Sequence, residues 1–426
     1  MNLIFKIMVI SSIACAVPIC AAVAQTGPNQ LRASNLDAGA NAAKVQVPSG
    51  DLSSYGTVIA PGVVWSKEAT FEAGYDSNPD ELFVQNRATA YGRVGGNSSL
   101  AFVRPDGSGA TVISLRGTYL SLSDTDFAHN RGDADFAIDN SYALGKGVDF
   151  SFGGYFLYDA LHLVESEQGG GYAKLAFTSK NFDAYARVRH QEIQYEGPVP
   201  QAQLFDPATL VFAANRNYDV RRTEETAGFI AYANTSLGFF ADTGASQLDY
   251  FNQVNPSVLD RTADEYWVVG GVRFAVDKYF KADVGYRYNE RDFQKASLSD
   301  YSNSYPDAHL VWFAARDLTI SFDVTRILVE PITTFALAGD ERTFDLRVRY
   351  QVNPKLSLIV DAHDRRTAQI GDTALYYEKA VSLFANYDYT DKIHFYGVAA
   401  QKHVEESFSG GQYDRTQLGL GTRVQF

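Results

Sequence analysis

The chain has 426 residues, a net charge of −13, 13% aromatic residues and two cysteines. That acidity excludes nucleic acid as a partner, because phosphate binding needs a basic face. Past the N-terminal segment no run of about twenty apolar residues occurs, which excludes a transmembrane helix, and both cysteines fall in that segment, which excludes disulfides and thiolate metal sites from the rest.

Residues 1–24 hold Lys6, an apolar core and Ala22-Val23-Ala24 before Gln25. This pattern predicts a Sec signal peptide with an A-x-A cleavage site. Pro18 and the short apolar length argue against a membrane anchor, and Ile19 before Cys20 makes a poor lipobox. Without Lys6 the remainder carries about −14. Residues 25–62, rich in Ala, Asn, Gly, Ser and Pro, read as a flexible periplasmic leader, with an interaction segment as the alternative.

From residue 63 to Phe426 the sequence alternates apolar and polar residues with period two. Ala69, Phe71, Ala73 and Tyr75 interleave with Thr70, Glu72, Gly74 and Asp76, the pattern of a half-buried strand. Repeated in units of about ten residues, it predicts an all-β fold: a transmembrane antiparallel up-and-down β-barrel of about eighteen strands, with sixteen as the alternative count. Tight turns are expected at Pro105-Asp106-Gly107-Ser108-Gly109, Gly145-Lys146-Gly147, Ser179-Lys180-Asn181, Ala233–Ser236, Val276–Lys278, Arg316-Asp317, Val352–Lys355 and Tyr389–Lys392. Longer loops fall near 122–132, 159–171, 196–218, 249–261, 293–303, 329–341, 365–374 and 405–413. Short turns face the periplasm and long loops the outside in such barrels.

The outward rows are apolar: Val148, Phe150, Phe152, Phe156 and Tyr158 in one strand, Phe344, Leu346, Val348, Tyr350 and Val352 in another. A soluble sandwich would have to bury these rows between two sheets. Phe150, Phe182, Phe274, Phe280, Tyr350, Tyr387 and Phe426 fall where a periplasmic aromatic girdle belongs, and Tyr75, Tyr119, Tyr158 and Tyr288 where an outer one does.

The last strand, Arg415 to Phe426, puts Thr416, Leu418, Leu420, Thr422, Val424 and Phe426 on one face. It resembles the C-terminal signal of outer-membrane proteins, which implies that the barrel-assembly machinery reads Phe426. The segment Phe71 to Pro79, with Tyr75-Asp76-Ser77-Asn78, resembles the opening of the putative β-barrel porin 2 family of Gram-negative bacteria, in which a strand commonly ends in aromatic–Asp–x–Asn. The resemblance implies an outer-membrane location, lipid and lipopolysaccharide as surroundings, and an outer-membrane conduit for an exopolysaccharide or other surface polysaccharide, with periplasmic polysaccharide-export proteins as partners. The alternative is a passive diffusion porin for small polar solutes.

Eighteen strands tilted by about 40° enclose a backbone diameter on the order of 35–40 Å, which side chains cannot fill. A leader of about forty residues is too short for the plug of a TonB-dependent receptor, so a pore is expected. Its lining candidates are Glu72, Arg93, Arg116, Asp139, Arg187, Arg189, Asp283, Arg287, Asp345, Arg347, Arg349 and Arg423, all on inward rows. Such residues either form cross-strand ion pairs that hold the wall or create a transverse field on polar solutes. Inward Tyr91, Tyr155, Tyr185, Trp267 and Tyr396 offer faces for sugar rings or pack beneath loops. Between Glu196 and Asp219 the loop is long and apolar, so Phe205, Asp206, Leu210 and Phe212 are candidates for a constriction, Asp206-Pro207 starting a short helix.

Seven scattered histidines and the lack of an oriented nucleophile argue against an enzyme; Asp361 and His363 share one inward face without a serine partner. Acidic pairs Asp124/Asp126 and Asp340/Glu341 do not demand a metal, and no cofactor is expected.

Overall fold

A computed structural model describes residues 56–79, 88–123, 130–159, 165–196, 219–251, 260–276, 279–295, 297–329, 336–407 and 411–426. Among these residues the chain forms nineteen strands of one antiparallel sheet and no helix. The signal peptide 1–24 and all but the end of the leader 25–62 lie outside the described residues, as does the loop with Phe205, Asp206, Leu210 and Phe212.

A short β1 (Thr57–Ala60) precedes β2 (Val63–Asp76), β3 (Thr89–Val103), β4 (Gly109–Leu122), β5 (Asn130–Gly145), β6 (Val148–Asp159) and β7 (Glu165–Thr178). Next come β8 (Phe182–Glu196), β9 (Val220–Tyr232), β10 (Leu237–Tyr250), β11 (Ala263–Val276), β12 (Phe280–Phe293) and β13 (Tyr301–Ala315). The sheet ends with β14 (Leu318–Val329), β15 (Ala338–Asn353), β16 (Leu356–Ile370), β17 (Leu375–Asp388), β18 (Ile393–Glu406) and β19 (Gly411–Gln425). From β2 onward each strand pairs with its sequence neighbours, and β19 pairs with β2, so eighteen strands close on themselves. Closure pairs every long strand on both sides, as a lipid environment requires.

Alternation decides which way each side chain points. Phe71, Tyr75, Val94, Leu115, Tyr119, Leu346 and Leu420 stand exposed on the outside, while Glu72, Asp76, Arg131, Glu265 and Arg291 are buried on the inside. The periplasmic girdle is packed ring to ring: Phe182 stacks on Phe229 at 5.9 Å and meets Phe177 at 6.5 Å.

The turns follow their residue chemistry. Lys146 is held at φ 52° between Gly145 and Gly147, both at positive φ, and a Cβ on Gly147 would lie 2.1 Å from the Thr178 carbonyl oxygen. At Pro105–Gly109 the Ser108 backbone N–H and hydroxyl both donate to Asp106 Oδ1, at 3.0 and 2.7 Å, and hold its carboxyl below the usual carboxylate range.

Several strands run further outward than the sequence suggests. Residues 165–171, 338–341 and 365–370, expected in loops, belong to β7, β15 and β16. Gly169-Gly170-Gly171 has little strand propensity of its own, but its backbone is paired on both sides, to β6 and β8. At the other end, residues 57–60 of the expected leader pair with Val63–Trp65 across the Pro61–Gly62 turn. They extend the β2 edge beyond the point where β19 stops, at Glu68.

Among the described residues the wall departs from a simple cylinder where β13 meets β14. The β13–β14 ladder stops at Ala308↔Val324, although β13 continues to Tyr301 against β12 and β14 continues to Val329 against β15. Pro306, two residues beyond the stop, has no N–H to donate. Above it the edges overlap rather than meet. Tyr301 and Asn303, on the inner row of β13, donate to Asp340 on the outer row of β15, at 2.5 and 3.0 Å. Arg326 of β14 forks onto the same carboxylate, its Nε at 2.7 Å. Asn289 Nδ2 reaches the Arg326 carbonyl at 3.2 Å from β12.

Candidate functional site: the inner wall

The inner rows form a lattice of charges tied across strands. Glu72 faces Arg93 at 3.6 Å, Arg116 faces Asp135 at 2.6 Å, and Arg287 faces Asp307 at 3.0 Å. Asp283 receives Arg273 through two bonds of 2.6 and 2.5 Å. Arg347 donates to Asp361 at 2.5 Å, and Arg423 lies 3.6 Å from Glu68. The densest knot spans β8 to β12: Glu224 meets Arg187 at 2.7 Å and Arg189 and Arg222 at 3.5 Å, and Glu265 meets Arg222 at 3.2 Å and Arg291 Nε at 2.7 Å. Asp139 accepts from Tyr172 at 2.6 Å. Asp345 is exposed, opposite Asp323 and His363. Arg349, nearer the periplasmic turn, forms no ion pair among the described residues.

Aromatic rings lie along this wall over glycines. A Cβ on Gly153 would fall 2.8 Å from the Tyr172 ring, one on Gly244 within 2.5 Å of the Trp267 indole, and one on Gly421 2.2 Å from Tyr396. Glycine on one strand lets a ring from the next lie flat and reach a carboxylate beyond it. Tyr172 of β7 thus crosses β6 to Asp139 of β5, and Tyr185 of β8 crosses β9 to Asp242 of β10 at 2.9 Å. Tyr91 crosses to Glu72 at 2.7 Å. Tyr91 and Tyr155 are buried, so they offer little face for a sugar ring.

Over β2–β12 the charges are segregated along the wall. The inner rows of β2–β6 carry Glu68, Glu72, Asp76, Asp133, Asp135, Asp139, Asp149 and Asp159 against Arg93, Arg116 and Arg131. On β7–β12 the balance reverses: Lys174, Arg187, Arg189, Arg222, Arg273, Lys281, Arg287 and Arg291 stand against Asp183, Glu224, Asp242, Glu265 and Asp283. An acidic arc therefore adjoins a basic one, and a polar solute between them meets a transverse field.

The outer mouth is narrowed by the segment entering β15. Leu337 packs with Ala263 of β11 and Phe293 of β12, beside Leu298 and Ile370, and Arg261 Nε donates to the Ala336 carbonyl at 2.8 Å. The β14–β15 end thus leans across the mouth toward β11–β12, consistent with its place inside the β13 edge.

The sequence pattern of the family Putative beta-barrel porin 2 matches residues 170–426. The chain belongs to this family. The match begins within β7, so the Tyr75-Asp76-Ser77-Asn78 segment lies outside it. Among solved structures, this porin-family barrel is similar to OpdK of Pseudomonas aeruginosa, solved with vanillate, at 12% identity and a TM-score of 0.50, covering 85% of this chain and 99% of that one. It is also similar to OccAB2 of Acinetobacter baumannii, at 13% identity and a TM-score of 0.48, covering 85% and 98%. At such identities the likeness is one of fold. None of the curated proteins matches in sequence. Family and fold give the protein a Gram-negative outer-membrane location and point to a channel rather than an enzyme.

In this porin the twelve charged residues expected on inward rows all occupy inner rows. Sequence reading missed Glu224, the partner of Arg187 and Arg189, and Arg222 and Glu265, which extend the same network, and the reason is register: only the pairing of strands shows which acid faces which arginine. Asp361 is taken by Arg347, and His363 Nε2 bonds to Glu378 at 2.8 Å, so the two are parts of separate pairs. Asp340 and Glu341, adjacent in sequence, face opposite sides, one to Arg326 and the other to Arg365 at 3.5 Å.

Proposed function

We propose that this porin is a passive diffusion channel for small polar solutes. The observation that carries the reading is the inner wall itself, acidic along β2–β6 and basic along β7–β12, with exposed Asp345 and half-exposed Arg116 and Arg347 facing the lumen. Paired charges fixed on strands order water and let a hydrated solute exchange its hydrogen bonds as it moves. Export of a surface polysaccharide rests on the family resemblance, and among the described residues no feature of the inner wall favours it over diffusion. Cleavage after Ala24 and recognition of Phe426 by the assembly machinery belong to the same proposal; the exposed outward ring of Phe426, whose N–H donates to the Lys67 carbonyl at 3.0 Å, supports the latter.

The test is reconstitution into planar bilayers and liposomes. A stable single-channel conductance is expected, with swelling rates that fall as neutral sugars lengthen. Charge reversal at Arg187 and Arg189 should shift the reversal potential toward cations. A barrel that refolds fully but passes neither ions nor sugars would refute the diffusion reading.

A further inference from the structure

Three arginines stand side by side on the outward-parity row of β14–β16, the first of them, Arg326, beneath the overlapping β13 edge with its guanidinium 5.5 Å from the Tyr305 ring. Arg326 of β14 is directly opposite Arg342 of β15, which is directly opposite Arg366 of β16. All three share the outward row with Val324, Phe344 and Leu346. Like charges in direct opposition are destabilising, so such a row calls for an anion. Arg326 has one in Asp340. Arg342 and Arg366 do not: among the described residues no carboxylate lies within ion-pair reach of either. Their guanidinium groups lie instead over outward rings, Arg342 over Phe344 at 5.1 Å and Arg366 over Tyr377 at 5.2 Å. The Nε of Arg342 is shut off from water and makes no hydrogen bond.

Height on the wall identifies the anion. Below Arg342 the outward row runs Phe344, Leu346, Val348, Tyr350 and Val352 down to the periplasmic turn, which spans the apolar band, and Arg342 is the first residue above it. Beside it, Tyr377 sits where an outer girdle residue belongs. Arg342 and Arg366 are therefore level with the headgroups of the outer leaflet.

We propose that Arg342 and Arg366 form a binding site for a phosphate carried on an outer-leaflet glycolipid, the lipid A portion of lipopolysaccharide. Guanidinium forks match phosphate oxygens in pairs. The acyl chains of the same molecule would lie on Phe344, Leu346 and Val360, surface that free phosphate would leave unused. Arg326, already satisfied by Asp340, bounds the site at the β13–β14 overlap and keeps its charge near it.

The experiment uses the full barrel refolded in detergent, with thermal unfolding followed as loss of the compact band on gels. Titrations are made with bisphosphorylated lipid A, with lipid A stripped of phosphate, and with inorganic phosphate. Bisphosphorylated lipid A should raise the unfolding temperature, while stripped lipid A and inorganic phosphate should leave it unchanged. R342Q/R366Q should weaken the lipid response by about tenfold or more per arginine, and the lumen variant R347Q should keep it. If the double variant does not refold, R366Q alone is titrated and is expected to lose about tenfold. An equal response from R342Q/R366Q or R366Q, or from stripped lipid A, would overturn the site, as would no response from the wild-type barrel. A response to inorganic phosphate alone would overturn the lipid assignment.

Discussion

Removing the Arg415 side chain should loosen the seam where the chain's last strand meets its first. Only nine residue pairs join β19 to β2, against fourteen between β2 and β3, so side chains carry more of the closure there. Asp76 receives Arg415 Nε at 3.0 and 3.1 Å and Nη2 at 2.5 Å, with further bonds from Gln417 at 2.7 Å and the Asn78 N–H at 3.0 Å. Both members of the pair are buried, at 8% and 4% side-chain exposure. Deleting one partner of a buried ion pair costs about 3–5 kcal/mol, because the other charge stays behind. Gln417 and Asn78 still solvate Asp76 and return about 1 kcal/mol, leaving a loss of about 2–4 kcal/mol for Arg415→Ala. The assay is urea unfolding of the refolded barrel in lipid vesicles, followed by tryptophan fluorescence and by heat-modifiability on gels. The double variant Asp76→Leu/Arg415→Leu should lose less than the two single changes added together, since they remove one shared interaction. Arg415→Ala within about 0.5 kcal/mol of wild type would show that the backbone ladder alone closes the barrel, and the reasoning would fail.

Leu346→Arg, on the exposed outward row, should cost about 2–4 kcal/mol for a charge facing lipid, whereas Arg347→Ala should refold and change ion selectivity; the reverse pattern in urea titrations would mean a register slip of one. Asp340→Ala removes the common acceptor of Arg326, Tyr301 and Asn303, so hydrogen exchange at 301–307 and 325–329 should speed up, and uptake of large antibiotics should rise if the overlap is a barrier. Gly153→Val would put methyl groups where the Tyr172 ring and the Ile138 carbonyl lie, 2.8 and 2.6 Å from the Cβ, and should destabilise the barrel by about 1–3 kcal/mol in the same titrations.

The fold was legible because a barrel in lipid writes its architecture as parity. Phe71 against Glu72, or Leu346 against Arg347, needs only the period of a strand to be assigned a side, and eighteen repetitions leave little room for another fold. Strand ends were less legible. Gly169-Gly170-Gly171 and Arg365 to Ile370 have loop composition, yet the glycines lie level with outward Phe156 and are held by ladders on both sides, while Arg365 to Ile370 continue a strand at and beyond the end of the apolar band, where its outer row no longer needs apolar residues. The pairing of charges was not legible at all, since which acid meets Arg187 or Arg415 depends on stagger between strands distant in sequence. The Tyr75-Asp76-Ser77-Asn78 segment illustrates this. As a sequence it resembles the opening of a family of porins. As a structure, Asp76 takes the Arg415 fork and the Asn78 N–H, while Ser77 exchanges bonds with Thr416 at 3.0 and 2.7 Å. Those four residues come first among the long strands, and closing an up-and-down barrel requires that the first strand recognise the last. A polar clasp on that strand's outer end supplies the register that a short ladder leaves weakly specified.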